Sequence, residues 1–240
     1  MGTFIVAMDS KKLQECCVQK GILGSMPLPY SLLYQGLATA LQHELRDLDF
    51  NPVYTRGAEG RLRLVKDEVY QFAICSRYAA EKSIKNGMDI KIAIDFGPGT
   101  YLSQHVLLLR DANEKEISDG MRVGYDSTSL DQRDIINILT KHKKNIRFIE
   151  TRAHHTIAGI LSGNLDAGVW NYDEILENKY EGLNVVSLED KLPLDIFSSS
   201  VLVIKKDQEA LENILRRRID VLRVKKIQQQ VKEGKMAADY

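Results

Sequence analysis

The sequence predicts an α/β protein of two lobes, each a mixed sheet flanked by helices, joined by two crossover strands that form a hinge. Three observations lead there. The stretch 121–139, MRVGYDSTSLDQRDIINIL, reads as a short buried strand, a loop of small polar residues and an amphipathic helix. A similar unit lies upstream at 22–48, and each is followed by a strand, a short helix and a strand, giving two βαβαβ units. Finally, SQHVLLLR at 103–110 and FSSSVLVIK at 197–205 bracket the later unit, as an outward and a return crossing would.

Residues 1–20 read as a linker: GTFIV is β-prone, and KKLQECCV is a short amphipathic helix ended by Gly21. A strand at 22–24 and a loop at 25–29 follow, with Pro29 suited to a first helical turn, where its missing N–H costs little. Leu33, Leu37, Leu41 and Leu45 then recur every fourth residue, the stripe of a helix packed on a core. NPVYT at 51–55 is a strand, 57–60 a turn, 61–66 a short helix, and 69–76 a strand ending on Ser76. An alternating strand at 90–96 leads through Gly97-Pro98-Gly99 to the first crossing.

In the second unit Met121, Val123 and Tyr125 form the strand, and Ile135, Ile136 and Leu139 the apolar helix face. Ser129 and Gln132 between them stand at capping-box spacing, so that helix should begin at Ser129. Strands at 145–151 and 166–171 flank a helix carrying Ile157, Ile160 and Leu161, and another strand covers 183–188. The tail 207–240 is helical, with Leu211, Ile214, Leu215, Ile219 and Leu222 apolar, and returns to the first lobe. The expected division is therefore 21–110 plus 196–240 for lobe I and 111–195 for lobe II.

Composition excludes several functions. Lysine plus arginine balance aspartate plus glutamate at 33 each in 240 residues, so no bulk charge draws the chain to nucleic acid or lipid. No run approaches the roughly 20 apolar residues that span a bilayer. The start lacks the basic flank, long apolar core and small-residue site of a signal peptide. Three cysteines, Cys16 and Cys17 adjacent and Cys75 apart, suit neither a disulfide framework nor zinc, so the expected compartment is the cytoplasm. Phosphate-loop, dinucleotide and nucleophile-elbow patterns are absent.

In open parallel sheets a ligand sits beyond the carboxyl ends of the strands. Those ends carry Ser25, Ser76, Ser127, Thr128 and Asn171, and the expected ligand contacts also include the adjoining Met26, Asp126 and Ser129. The hydroxyl loop before a helix start offers free N–H groups and a positive dipole end to an anion. Asp126 and Asp131 work against a purely anionic ligand, so a zwitterion fits equally. Tyr30 and Trp170 can stack on a ligand or belong to the core, and Arg61 and Arg77 can pair with an anion or be solvated. His154-His155 read as structural or solvent-facing, since no cysteine or carboxylate stands at ligand spacing. Arg216-Arg217-Arg218 and Lys225-Lys226 are interleaved with Glu209, Glu212 and Asp220 and read as a solvated helix face.

The order of these motifs resembles the type 2 periplasmic-binding-protein fold. More narrowly, residues 21–232 resemble the C-terminal effector-binding domain of YhfZ-like bacterial transcription regulators. The resemblance is carried by GILGSMPLPYS, GAEGRLRLVKDEVYQFAICS, RVGYDSTSLDQ and ILSGNLDAGVWNYDE. One departure is Gln71, where proteins of this fold often carry an aspartate; Asp166 fits the pattern in the second lobe. Gly2-Thr3-Phe4 resembles the last wing strand of a winged helix-turn-helix domain, which implies a DNA reader upstream of these residues. The resemblance thus implies a cytoplasmic, homodimeric sensor of a small carboxylate or zwitterion, with no cofactor, no metal and no membrane partner. DNA would be contacted only through the upstream domain. The alternative is an enzyme on the same fold, a lyase or hydrolase of the menaquinone-pathway type acting on a carboxylated small molecule.

Overall fold

Leu37, Leu41 and Leu45 are fully buried and Leu33 nearly so, the outcome that their fourfold spacing on one helix face requires. The computed structural model describes residues 21–152 and 155–239 of the chain. The segment 1–20, with the expected wing remnant, Cys16 and Cys17, lies outside the described residues, as does His154.

The chain begins with β1 (Ile22–Met26), α1 (Leu32–Leu45), a single 3-10 turn (Arg46–Leu48), β2 (Phe50–Tyr54), α2 (Ala58–Lys66) and β3 (Phe72–Ser76). α3 (Arg77–Lys85) and β4 (Ile90–Gly97) complete the outward path. Then come β5 (His105–Leu109), β6 (Arg122–Tyr125), α4 (Leu130–Thr140), β7 (Arg147–Glu150), α5 (Thr156–Leu161) and β8 (Ala167–Asn171). α6 (Tyr172–Asn178), β9 (Asn184–Ser187), α7 (Leu194–Ser198), β10 (Ser200–Lys205), α8 (Glu209–Arg218) and α9 (Val221–Lys232) follow.

Two five-stranded mixed sheets result, ordered β2-β1-β3-β10-β4 and β7-β6-β8-β5-β9. The orders are equivalent. In each, three parallel strands of a βαβαβ unit are followed by an antiparallel strand that has just crossed from the other lobe. β5 pairs with β8 and β9, so 105–109 belongs to the second sheet and not to the end of the first lobe, as the 21–110 boundary has it. The second crossing differs from its expected form too, since 194–198 is helical and the strand starts only at Ser200.

Side chains repeat along with strands. Gln71, just before β3, accepts a hydrogen bond from the Leu23 backbone N–H at 2.8 Å; Asp166, just before β8, accepts from Arg122 N–H at 2.9 Å. Gln71 therefore keeps the acceptor that an aspartate would supply, without its charge. Ser76 ends β3 and caps α3 by accepting from Ala79 N–H, while Asn171 ends β8 and caps α6 by accepting from Asp173 N–H.

Lobe I encloses a core of Ile22, Leu37, Leu41, Phe72, Phe96 and Leu202, onto which Val224 and Ile227 of α9 pack. Lobe II has its own, around Leu107, Val123, Ile135, Val169 and Leu188. The crossings run side by side at the hinge. Tyr101 N–H donates to Ser198 O at 2.8 Å, and Ser200 N–H and Oγ both reach Thr100 Oγ1, at 2.9 and 2.8 Å. The two lobes also meet across the cleft. Leu130, at the head of α4 in lobe II, is buried among Ala58, Leu62 and Val65 of lobe I. Tyr78 stacks on Phe197 at 4.3 Å, its hydroxyl donating to Asp134, which also pairs with Lys82. Glu177 of α6 accepts from Leu32 N–H, at 3.1 and 3.0 Å to its two oxygens. Among the described residues no helix is long and apolar enough to cross a membrane.

Candidate functional site

Between the lobes lies a small cleft of ≈ 100 Å³, partly open to solvent. Lobe I supplies the loop after β1, with Tyr30, and the segment after β2 with Arg56, Gly57 and Arg61. Lobe II supplies Asp126 to Gln132 apart from Ser127, then Trp170, Asn171 and Glu174, and His105 rises from the hinge side.

The cations are fixed differently. Arg61 is 2% exposed, its Nε donating to Ile74 O at 3.0 Å, Nη1 to Thr55 O at 2.7 Å and Nη2 to the Tyr101 hydroxyl at 3.3 Å. It is a rigid buried charge at the floor. Arg56 instead bridges the lobes, Nη2 donating to Asp126 Oδ1 at 3.0 Å. The same Asp126 oxygen accepts from Thr128 N–H and from its hydroxyl, at 3.0 and 2.6 Å, which folds the loop tightly before α4.

The acids are unusual. Asp131, in the first turn of α4, accepts from Ser76 Oγ across the lobe boundary at 2.8 Å. Burial pushes its pKa to about 7, against the pull of the Ser76 hydrogen bond and the Arg61 charge. Burial likewise pushes Glu174 to about 7 and draws His105 down to about 4, so the imidazole is neutral. Several buried polar atoms in the cleft walls have no hydrogen-bonded partner: Arg56 Nε, His105 Nδ1, Asn171 Nδ2 and Glu174 Oε2. The indole N–H of Trp170 faces Glu174 without hydrogen-bonding geometry. A buried polar atom left unmatched costs roughly 1–3 kcal/mol, so a group of them in one cavity needs a reason.

Eight of the residues singled out in the sequence line this cleft: Tyr30, Arg61, Asp126, Thr128, Ser129, Asp131, Trp170 and Asn171. Five do not. Ser25 and Met26 are fully buried because β1 runs on to Met26, and Met26 sits in the lobe I core. Ser76 is buried behind the wall, bonded to Asp131 and Ala79. Ser127 faces outward and donates to Glu150 at 2.9 Å. Ser129 holds the N-cap position of α4, yet its side chain makes no capping bond, so the expected box with Gln132 does not form. Pro29 is likewise not in a helical turn; Ser31 caps α1, accepting from Tyr34 N–H. Arg77 pairs with Glu81 and Asp95 outside the cleft lining. Sequence reasoning missed Arg56, Gly57, His105 and Glu174. Of these only Glu174 had a local signal, standing on the first turn of a helix that Asn171 caps.

The model of the YhfZ C-terminal domain family matches residues 9–240. The chain is 28% identical over 239 residues to YhfZ of Escherichia coli (strain K12), an uncharacterised protein, covering 100% of this chain and 78% of that one. Among solved structures it is similar to YhfZ from Shigella flexneri, with a TM-score of 0.77 and 26% identity over 97% of this chain and 100% of that chain. At 10% identity, with a TM-score of 0.66 over 90% of this chain and 75% of the other, it shares its fold with SsuA, the periplasmic aliphatic sulphonate binding protein of Escherichia coli. The architecture of two mixed sheets around a cleft is thus that of the type 2 periplasmic binding proteins. By the extent of the match along its sequence, the chain belongs to the YhfZ C-terminal domain family.

Proposed function

We propose that this domain binds a small carboxylate or zwitterion between its lobes and acts as the sensing part of a cytoplasmic DNA-binding transcription regulator. One observation carries the binding role. Polar atoms of Arg56, His105, Asn171 and Glu174, from both lobes and the hinge, are buried around one cavity without partners. A ligand offering matching donors and acceptors removes that cost. The head of α4 and Arg56 favour an anionic group, and the acids Asp126 and Glu174 favour a second, positive one. Of the contacts expected from the sequence, Tyr30, Arg61, Asp126, Thr128, Ser129, Trp170 and Asn171 remain in this proposal, with Arg56 and Glu174 added. In this reading the protein works as a homodimer, and DNA is contacted by a separate domain, with the lobes reporting ligand through closure.

The test is native mass spectrometry of gently purified protein, followed by calorimetry with whatever molecule is retained. A bound species of a few hundred daltons, lost in an Asn171→Asp variant, is expected. Protein that carries nothing and binds nothing at the cleft would remove the proposal. A second reading, catalysis on a carboxylated small molecule, draws on Asp131 and Glu174, whose pKa of about 7 suits acid–base work. Asp131 lines the cleft, but its Oδ1 is engaged by the Ser76 hydroxyl. Binding without turnover is therefore favoured, and chemical conversion of the retained molecule by the purified protein would reverse that order.

A further inference from the structure

We propose that Glu174 is the amine-recognising residue of the cleft, holding a protonated nitrogen of the ligand beside the rings of Tyr30 and Trp170. The inference rests on the interlobe binding role above and names the chemistry of one end of the ligand. Glu174 stands on the first turn of α6, 8% exposed, and lines the cavity with Oε2 unmatched. A buried structural carboxylate is ordinarily held by an arginine, a lysine or backbone N–H groups. Here, among the described residues, the charged neighbour that acts on it is another acid, Glu177, and the indole N–H of Trp170 is the group that favours its ionised form. The first turn of α6 favours a carboxylate through the helix dipole but leaves Oε2 without a hydrogen-bonded partner.

The surroundings select the counterpart. Tyr30 and Trp170 lie 6.1 Å apart between ring centroids, inclined at 55°, and both line the cavity. Aromatic faces next to a carboxylate form a place for a cation, the rings supplying attraction without needing hydrogen atoms of their own. The guanidinium groups of Arg56 and Arg61 come from the segment after β2, and Glu174 from the helix after β8, so opposite charges enter from opposite lobes. A ligand with an acidic end and a protonated amine satisfies both. A hydroxyl in place of the amine can meet Glu174 only as a neutral partner, with the weaker bond that implies.

The experiment titrates the protein with α-amino acids and ω-amino carboxylates of three to six carbons, each beside its deaminated and its hydroxyl isostere. Thermal shift and calorimetry are the readouts. At least one amine-bearing member is expected to bind at least about tenfold tighter than both isosteres, as loss of a charged hydrogen bond implies, and Glu174→Gln should erase the preference. Equal affinity for the isosteres, a preference that survives Glu174→Gln, or no binding by any amine overturns the assignment. Native mass spectrometry separates its failure from that of the binding role. A retained molecule without a basic nitrogen refutes only the amine, whereas an empty cleft and a silent panel refute both. Ligand-free Glu174→Gln should also melt above the wild type at pH 8 and level with it at pH 5, because glutamine is spared ionisation in a buried site. A lower melting point for the variant at pH 8 would show a structural carboxylate and likewise overturn the assignment.

Discussion

Replacing Gly57 with alanine separates closure of the lobes from the stability of either lobe. Gly57 precedes α2 at φ 78° and ψ 125°, a conformation that side chains resist at a cost of roughly 1–3 kcal/mol. A Cβ there would lie 2.8 Å from Thr128 O and 3.1 Å from Thr128 Cβ, and Thr128 belongs to the other lobe. The backbone strain acts whether the lobes are open or closed, but the clash exists only when they meet. Relief requires the 126–129 loop to withdraw by a few tenths of an ångström, loosening the Arg56–Asp126 pair and the seat of Leu130. A closure penalty of about 1.4 kcal/mol changes the closed-to-open ratio tenfold. Small-angle scattering of Gly57→Ala should therefore give a larger radius of gyration than the wild type. Melting should fall by about 2–4 °C per kcal/mol of strain. Gly87→Ala is the control, since Gly87 also has positive φ, at 84°, but has nothing within 4 Å of its Cβ position. It should melt lower with an unchanged radius. If Gly57→Ala and Gly87→Ala scatter alike, the Gly57–Thr128 contact does not limit closure and the reasoning fails.

Closure should also depend on pH. Asp131 has its pKa raised to about 7 from 3.8, so it favours the folded, closed form while protonated. That contribution is fully present below the unfolded value and is lost as pH rises toward 7, at up to about 1.4 kcal/mol per pH unit and proton. Melting temperature should thus decline from pH 5 to pH 7, and Asp131→Asn should flatten the slope; a variant with the wild-type slope would assign the protons elsewhere. Asn171→Asp keeps the acceptor that caps α6 but replaces the unmatched Nδ2, so the melting point should hold within a few degrees while affinity for a retained ligand drops roughly tenfold or more. Ser127→Ala should leave that affinity unchanged, since Ser127 bonds Glu150 outside the cleft; calorimetry compares the two. These 240 residues, with no net charge, should show no salt-sensitive gel shift on duplex DNA at moderate salt.

What could be read in the sequence was local and periodic. The leucine stripe of α1 and the strand–loop–helix at 121–139 needed only spacing, and the duplicated unit emerged from comparing two such stretches. Errors arose where a boundary decides which way a side chain points. Extending β1 to Met26 moves Ser25 and Met26 from a loop into a fully buried strand. Ending the second unit at Asn171 stopped one helical turn short of Glu174. Arg56 and His105 were invisible for another reason. Each comes from a segment without a motif and acquires its place only when the lobes meet, Arg56 through Asp126, 70 residues away.

The lobe contacts are of two opposed kinds. Burying Leu130 in the other lobe contributes about 1.5–3 kcal/mol, and the Tyr78–Phe197 stack and the Glu177 contact with α1 add to it. Against this stand Asp131 and Glu174, which resist ionisation when enclosed, and the unmatched atoms of Arg56, His105 and Asn171. At roughly 1–3 kcal/mol each, those costs together match or exceed the apolar gain. A ligand shifts such an equilibrium only by the difference in its affinity for the two states. An apolar molecule that merely fills volume leaves the polar costs in place and has little leverage. A molecule that supplies an acceptor to Asn171 and Arg56 and a donor to Glu174 removes the terms that oppose closure. Closure on the proposed ligand would then be coupled to its chemistry and not to its size, as the proposed sensing role requires.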